Sequence, residues 1–310
     1  MKKLGLATAL LLAMTGAQAY QFEVQGQSEF IDNTVNDKNF TGAVQGTYYF
    51  KNVDASKGPL AEAAFLNQAS NASLAYNYGE YDVNADKADL TSHTIGAKAE
   101  AYIPTKVVPV YASASYSNTI TDNKDNKADD HGDRYAVEVG AVVVPNFLVA
   151  VGYTSAPNQT SYDAFNILSN GVEKAALESK TIARDQDAVT ARTKYVGAID
   201  GTNMAIGFET NILFAEYKTY GFKTDLFVNP KLSVGASYAE SSINESPNKA
   251  WGANVNYFIT PAVAVGANYE LLYIGGTLKF GQKRHLSISK IYLSTQYSIH
   301  NGQKNWGIPK

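Results

Sequence analysis

The chain has 310 residues, a formal net charge of −3 and no cysteine, which excludes a disulfide framework and any thiolate-held metal. Two lysines lie at the extreme N-terminus, and five basic residues follow Phe280 without an acid. The body from Tyr20 to Phe280 therefore carries a net charge of −10, which argues against nucleic acid as a partner. Tyrosine (21) and glycine (24) are abundant and proline (9) is sparse, and no Pro/Ser-rich linker divides the chain.

"MKKLGLATALLLAMTGAQAY" places Lys2 and Lys3 before an apolar run from Leu4 to Met14, then the small-x-small sequence Ala17-Gln18-Ala19. Residues 1–19 read as a secretory signal peptide cleaved before Tyr20, because the apolar run is too short to span a bilayer.

"YQFEVQGQSEF" then separates into two faces, Tyr20, Phe22, Val24 and Phe30 against Gln21, Glu23, Gln25, Gln27 and Glu29. A period of two is a strand with one apolar and one polar side. Strands are expected near 20–31, 39–53, 71–82, 92–103, 108–118, 133–144, 147–155, 187–197, 203–212, 217–228, 232–241, 249–259 and 262–270, plus one to close. Between the second and third, "VDASKGPLAEAAFLNQAS" (53–70) interrupts the pattern with a short helix, Pro59 suiting its first turn. That helix either enters the barrel mouth or packs under its rim. The connections 83–91, 121–133 and 156–186 are long and polar, and the last holds a second candidate helix in "GVEKAALESKTIA", lying in the lumen or capping the outside. "PTKV", "PN", "NPK" and "TP" are short.

Two features put the apolar faces in lipid rather than in a soluble sandwich. The faces are lean, rich in Ala, Val and Tyr, and the strands are long enough for a tilted membrane crossing of about nine to eleven residues. With no spanning helix, the remaining membrane solution is a closed, all-β, antiparallel up-and-down barrel of about 14 strands, an even number with long external loops and short periplasmic turns.

One phrase recurs three times, at Val144–Ser155, Asn229–Ser242 and Thr260–Glu270. Each copy has a proline (Pro145, Pro230, Pro261), apolar residues at the second, fourth and sixth places after it, and a tyrosine at the eighth (Tyr153, Tyr238, Tyr269). Proline cannot donate to a ladder and belongs in the turn. Eight strand residues rise roughly 26 Å, so after tilting the tyrosine reaches the far interface, where aromatic girdles sit. The phrase is a tight turn with its outgoing strand, repeated because every hairpin meets the same membrane.

By the same phase Glu23, Lys98, Glu100, Glu138, Arg192, Lys194, Glu209, Lys223 and Asp225 point inward as pore-lining residues. Both signs occur, so the expected lumen is wet with at most modest cation selectivity. Arg192 and Lys194 are the candidate basic rung of an eyelet, although some of these charges are expected to pair across the lumen and simply fill it.

The leader running into "AYQFEVQGQSEF", then "KNVDASKGPLAEAAFLNQAS", "YVGAIDGTNMAIGFE" and "KLSVGASYAESSINESPNKAWGANVNYFITPAVAVGANY", resemble the Acinetobacter outer-membrane porin family of thirty-three to thirty-six kilodaltons, over roughly Met1 to Glu270. The resemblance implies a monomeric barrel in the cell outer membrane that passes water, ions and small hydrophilic solutes through a constricted pore. It brings no catalytic motif, no cofactor and no metal. The partners expected of such a barrel are outer-membrane lipid and lipopolysaccharide, small hydrophilic solutes and the barrel assembly machinery.

The resemblance weakens after Glu270. "YIGGTLKF", with Tyr273, Gly275, Leu278 and Phe280, could end a barrel spanning 20–280. The chain continues instead as a basic tail over 281–310, in which Ile291, Leu293, Thr295, Tyr297 and Ile299 alternate. The tail is a natural extension, an altered end of the reading frame, or the closing strand itself. "ELLYIGG" also lacks the turn residues an external loop should have.

Rival classes have less support. A hydrolase needs a nucleophile, a base and its orienter. The four histidines are His93, His131, His285 and His300, no Gly-x-Ser-x-Gly elbow occurs, and His93 reads as a rim residue. The acidic stretch 122–133 lacks the EF-hand spacing. A non-conducting barrel acting in adhesion or partner binding is the remaining alternative, because a filled lumen and an open one share the same alternation.

Overall fold

The computed structural model describes residues 19–33, 36–83, 88–123, 129–156, 163–165, 186–215, 218–241, 248–277 and 283–299. The leader residues 1–18 and the candidate helix in 156–186 lie outside them. Among the described residues there are fourteen strands: β1 (Ala19–Asn33), β2 (Asn36–Asp54), β3 (Asn71–Val83), β4 (Ala88–Ile103), β5 (Val110–Asn123), β6 (Asp129–Val144), β7 (Phe147–Ala156), β8 (Gln186–Ala198), β9 (Ala205–Phe214), β10 (Lys218–Asn229), β11 (Leu232–Ser241), β12 (Asn248–Thr260), β13 (Val263–Thr277) and β14 (Lys283–Ile299). Every pairing is antiparallel between sequence neighbours, and β14 pairs with both β13 and β1, so the strand order runs as a closed ring.

Outward positions are the apolar ones: Ile95, Val137, Val139, Val151, Val189 and Trp251 are all more than half exposed without lipid around them. Inward positions on β4, β5 and β11 are polar and buried, such as Thr94, Ser117, Thr119 and Ser237. This inverts the soluble arrangement and suits a barrel whose outer face meets lipid. Outward aromatics meet across strands: Tyr116 lies 5.1 Å from Tyr135, and Tyr238 lies 4.4 Å from Trp251 with the rings tilted.

The three repeated phrases close their turns with the same pairing. Val144 pairs with Phe147, Asn229 with Leu232 and Thr260 with Val263, leaving two loop residues of which the first is proline. In each, the register shifts two residues before the turn, at Val142/Val144, Phe227/Asn229 and Phe258/Thr260. A bulge there adds local twist and lets the strands close over two residues. Asn146 takes the left-handed backbone (φ 63°) that asparagine tolerates. Asn229 accepts through its side chain from the backbone N–H groups of Lys231 (2.9 Å) and Leu232 (3.0 Å).

The opposite end departs from expectation. The connection expected over 83–91 is shorter, since Val83 already pairs with Ala88. The one expected over 121–133 is shorter too, with Asp122 paired to Asp129. Strands here continue past the apolar band, where water bathes both faces and nothing selects alternation, so a polar tract extends a strand while reading as loop. "ELLYIGG" lacks turn residues because it is strand: β13 continues through Tyr273 and Gly275 to Thr277. It does not end the sheet. The alternating part of the tail is β14, whose Ile291 to Ile299 stretch lies opposite Phe30 to Phe22.

Segment 53–70 crosses the short-turn mouth inside the ring. It contains a 3-10 turn at Leu60–Glu62 and the single-turn helix α1 (Ala63–Leu66). Phe65 packs with the inward residues Tyr111, Val142, Leu148, Val196 and Phe227 of β5 to β10. Val53, Ala63 and Ala69 pack with Tyr20 and Tyr49 of β1 and β2, and Ala55 and Leu60 with Phe258 and Ala264 of β12 and β13. These three contacts lie around the circumference, and Leu60 N–H donates to Pro230 C=O (2.9 Å), tying the segment to a turn.

Candidate functional site: the charged constriction of the lumen

Eight of the nine inward candidates, all but Glu23, engage charged partners across or along the lumen wall. On β4, Lys98 and Glu100 are two residues apart and their charged ends meet at 3.0 Å. Glu100 also accepts from Tyr111 Oη (2.7 Å) and Asn71 Nδ2 (3.2 Å). From β8, Arg192 reaches past β7 to Glu138 on β6 through two hydrogen bonds, Nε to Oε1 at 3.1 Å and Nη2 to Oε2 at 2.9 Å. A forked guanidinium–carboxylate pair fixes direction as well as charge. Gly152 of β7 lies between them, and a Cβ there would meet Thr190 Oγ1 at 2.6 Å and Glu138 Cγ at 3.0 Å.

Arg192 Nη2 also donates to Tyr111 Oη (2.9 Å), its guanidinium lies 5.3 Å from the Tyr111 ring, and Nη1 is 3.8 Å from Glu209. Tyr111 thus passes a hydrogen-bond chain from Arg192 to Glu100. Lys194 sits between Glu62 of the mouth segment (2.9 Å) and Glu209 (3.8 Å), with its ammonium 5.1 Å from the Phe65 ring. Lys223 pairs with Asp225 at 3.0 Å, and Asp225 accepts from Asn254 Nδ2 at 2.9 Å. Glu23 stands apart on β1. It is buried and hydrogen-bonded to Gln25 and to Tyr49 (3.3 Å).

Sequence reasoning missed four participants. Glu62 lies in the mouth segment, where strand phase gives no direction. Tyr111 was left among the strand residues because a tyrosine carries no phase signal of its own. Asp163 sits in a long connection and Arg134 opposite it, 3.9 Å away. The described piece 163–165 enters the lumen: Asn77 Nδ2 donates to Ala164 C=O (3.0 Å), Ala164 N–H donates to Ser117 Oγ (3.1 Å), and Lys98 lies 6.0 Å from the Phe165 ring. Gly96 makes room for it, since a Cβ there would stand 2.5 Å from that of Ala164. One signal was available for the mouth segment. Near the short turns, runs such as "VVVPNFLVA" lose alternation, because Val142 and Leu148 meet the segment inside while Val143 and Val149 stay exposed outside.

The lumen keeps open space on both sides of this belt. One cavity of ≈ 230 Å³ is bounded by Lys98, Arg134, Glu138, Asp163, Arg192 and Glu209. A second of ≈ 160 Å³ lies against the β10–β14–β1 wall. Among the described residues no group of three or more His, Asp or Glu is placed to hold a metal. His93 is within β4 rather than at its end, facing outward with Nδ1 2.8 Å from Tyr76 Oη.

A family described as "Putative general bacterial porin" matches residues 1–277. The chain belongs to that porin family. Its match ends where β13 ends, so β14 falls outside it. The porin is similar to the crystal structure of the Acinetobacter baumannii outer membrane protein Omp33, at 50% identity over 92% of this chain and 100% of that one, with a TM-score of 0.65. It shares its fold, at 9% identity and a TM-score of 0.55, with the CymD monoaromatic hydrocarbon channel, covering 95% of this chain and 93% of that one. None of the curated proteins matches. The porin is a non-catalytic channel or transport barrel of the outer membrane.

Proposed function

We propose that this porin gives passive diffusion of water, ions and small hydrophilic solutes through the constriction described above. On this reading residues 1–19 are a cleaved signal peptide, β14 completes the barrel in the membrane, and the barrel is delivered by the assembly machinery and works as a monomer among lipid and lipopolysaccharide. Glu23, Lys98, Glu100, Glu138, Arg192, Lys194, Glu209, Lys223 and Asp225 line the path. The observation that carries this reading is the belt itself. Charges on the inward faces of β4 to β10 are mutually paired, with water-sized space left on either side of them. Around the belt the carboxylates Glu62, Glu100, Glu138, Glu209 and Asp225 outnumber the cations Lys98, Arg192, Lys194 and Lys223 by one, which supports a weak cation preference.

Single-channel conductance in a planar bilayer tests it, with protein first shown folded by heat-shifted gel mobility. Discrete steps with a small cation-directed reversal potential in a salt gradient are expected. Folded protein with no steps would reject the porin reading. It would favour instead a plugged barrel for adhesion or partner binding, a reading that the packing of Phe65 across the mouth supports.

A further inference from the structure

The larger lumen cavity holds a carboxylate that is paired in charge but not hydrogen-bonded. Most inward ion pairs stand at hydrogen-bond distance: Lys98 with Glu100 (3.0 Å), Arg192 with Glu138 (2.9 Å), Lys194 with Glu62 (2.9 Å) and Lys223 with Asp225 (3.0 Å). Glu209 differs. Its side chain lines the cavity and is 25% exposed, and its cations, Arg192 Nη1 and Lys194 Nζ, both stand 3.8 Å away. That separation balances charge yet lies beyond hydrogen-bond reach. Among the described residues neither Glu209 oxygen has a hydrogen-bond donor, and neither is buried.

Arg192 presents the matching donor. Its Nε and Nη2 are committed to Glu138 and Tyr111, whereas Nη1 makes no hydrogen bond among the described residues and is likewise not buried. An acceptor and a donor 3.8 Å apart thus open side by side onto one space. The other wide pair here, Arg134 with Asp163 at 3.9 Å, offers no such donor at its contact atom, because Arg134 Nε is buried.

Charge narrows the guest. Three cations (Lys98, Arg134, Arg192) and three carboxylates (Glu138, Asp163, Glu209) bound the cavity, so a solute with net charge meets as many repelling groups as attracting ones. A zwitterion with its two charges close together escapes that conflict. In an α-amino acid the ammonium and the carboxylate flank a single carbon. Laid alongside the pair, the ammonium donates to Glu209 and the carboxylate accepts from Arg192 Nη1, both bonds being charge-assisted. Ser115, Thr190 and Asn211 add neutral hydrogen-bonding groups to the walls. The ≈ 230 Å³ of space equals about seven water volumes, enough for the head group and a short side chain.

We infer that this cavity is a saturable site for neutral α-amino acids, held by Glu209 and Arg192. The inference rests on the porin reading and deepens it by naming a solute class, but the site is tested without any current. Saturation-transfer difference NMR on the detergent-solubilised full chain compares L-valine with 5-aminovalerate, an isomer carrying the same two charges four carbons apart. L-valine should saturate, and 5-aminovalerate should need about tenfold more, the loss of one charge-assisted hydrogen bond. Glu209→Gln keeps the side-chain size and should raise half-saturation by L-valine about tenfold for the same reason. Heat-shifted mobility certifies the variant as folded, and the isomer comparison stands on the parental protein alone. No saturation by L-valine, equal half-saturation by the two isomers, or an unchanged value in folded Glu209→Gln would overturn the inference. Bilayer conductance on the same preparations separates the two failures. Steps without L-valine binding reject the site and leave the porin, whereas binding without steps rejects the porin and leaves the site.

Discussion

The two walls of the lumen solve different problems with the same strand pattern. On β4 to β10 inward charges are cross-braced: Arg192 is forked onto Glu138, Tyr111 links it to Glu100, and Lys194 clamps Glu62 of the mouth segment. On β12, β13, β14 and β1 the inward face of the smaller cavity is amide and uncharged. Charge on an inward face therefore does not by itself describe what a permeating solute meets. Pairing decides that, and on the wall with fewer charges the amides also have partners, Gln25 in Glu23 and Asn254 in Asp225.

The largest effect would come from removing part of the amide wall. Deleting Lys283–Ile299 strips β1 and β13 of their ladders with β14, and each unpaired backbone group facing lipid costs several kcal/mol. No heat-shifted band should survive, and a folded band at parental yield would show that the ring does not need this strand. Arg192→Met probes the braced wall. It leaves Glu138 without its cation while Glu209 keeps Lys194 at 3.8 Å, and breaking such a pair costs about 3 kcal/mol. The temperature of the mobility shift should fall, and cation preference should rise. An unchanged shift temperature would mean the brace contributes no stability.

Glu62→Gln is milder and tests whether the mouth segment belongs electrically to the braced wall. It removes the nearer of the two carboxylates around the Lys194 ammonium, at 2.9 Å, and leaves Glu209 at 3.8 Å. A unit charge about 7 Å from a passing ion in water is worth about 0.6 kcal/mol, close to RT, and losing it disfavours a cation and favours an anion by that much each, so the cation-to-anion permeability ratio should drop about sevenfold. A reversal potential that stays put would place Glu62 off the ion path. The smallest effect is expected outside both walls. Asn229→Ala removes two side-chain hydrogen bonds from the Pro230 turn and should lower the folding free energy by about 1 kcal/mol, read from the urea midpoint of refolding into detergent micelles. A loss as large as that of Arg192→Met would make the turns, not the brace, the main local source of stability.

Much of this was legible beforehand for a physical reason. A strand between lipid and water must alternate, and the alternation in "YQFEVQGQSEF" or "WGANVNYFI" follows from one solvent on each side. Where that condition failed, the reading failed. Past the apolar band, "TDNKDNKADDHGD" has water on both faces, so Asp122 and Asp129 pair in a ladder that no pattern announces. Next to the mouth segment, Val142 and Leu148 have packed neighbours inside and alternation disappears again. Glu62, Tyr111, Arg134 and Asp163 joined the site through contacts between residues far apart in the chain, which periodicity does not encode.

By itself the sequence determined most of the strands, their phase within the apolar band and the proline turns, because each depends on a few neighbouring residues and the solvent on either side. Only the tertiary structure decided that segment 53–70 lies inside the mouth and that Ala164 reaches the lumen. It alone decided which inward charges cancel. Those outcomes are set by distances across the ring of strands, and residues that meet there are separated by whole hairpins of chain.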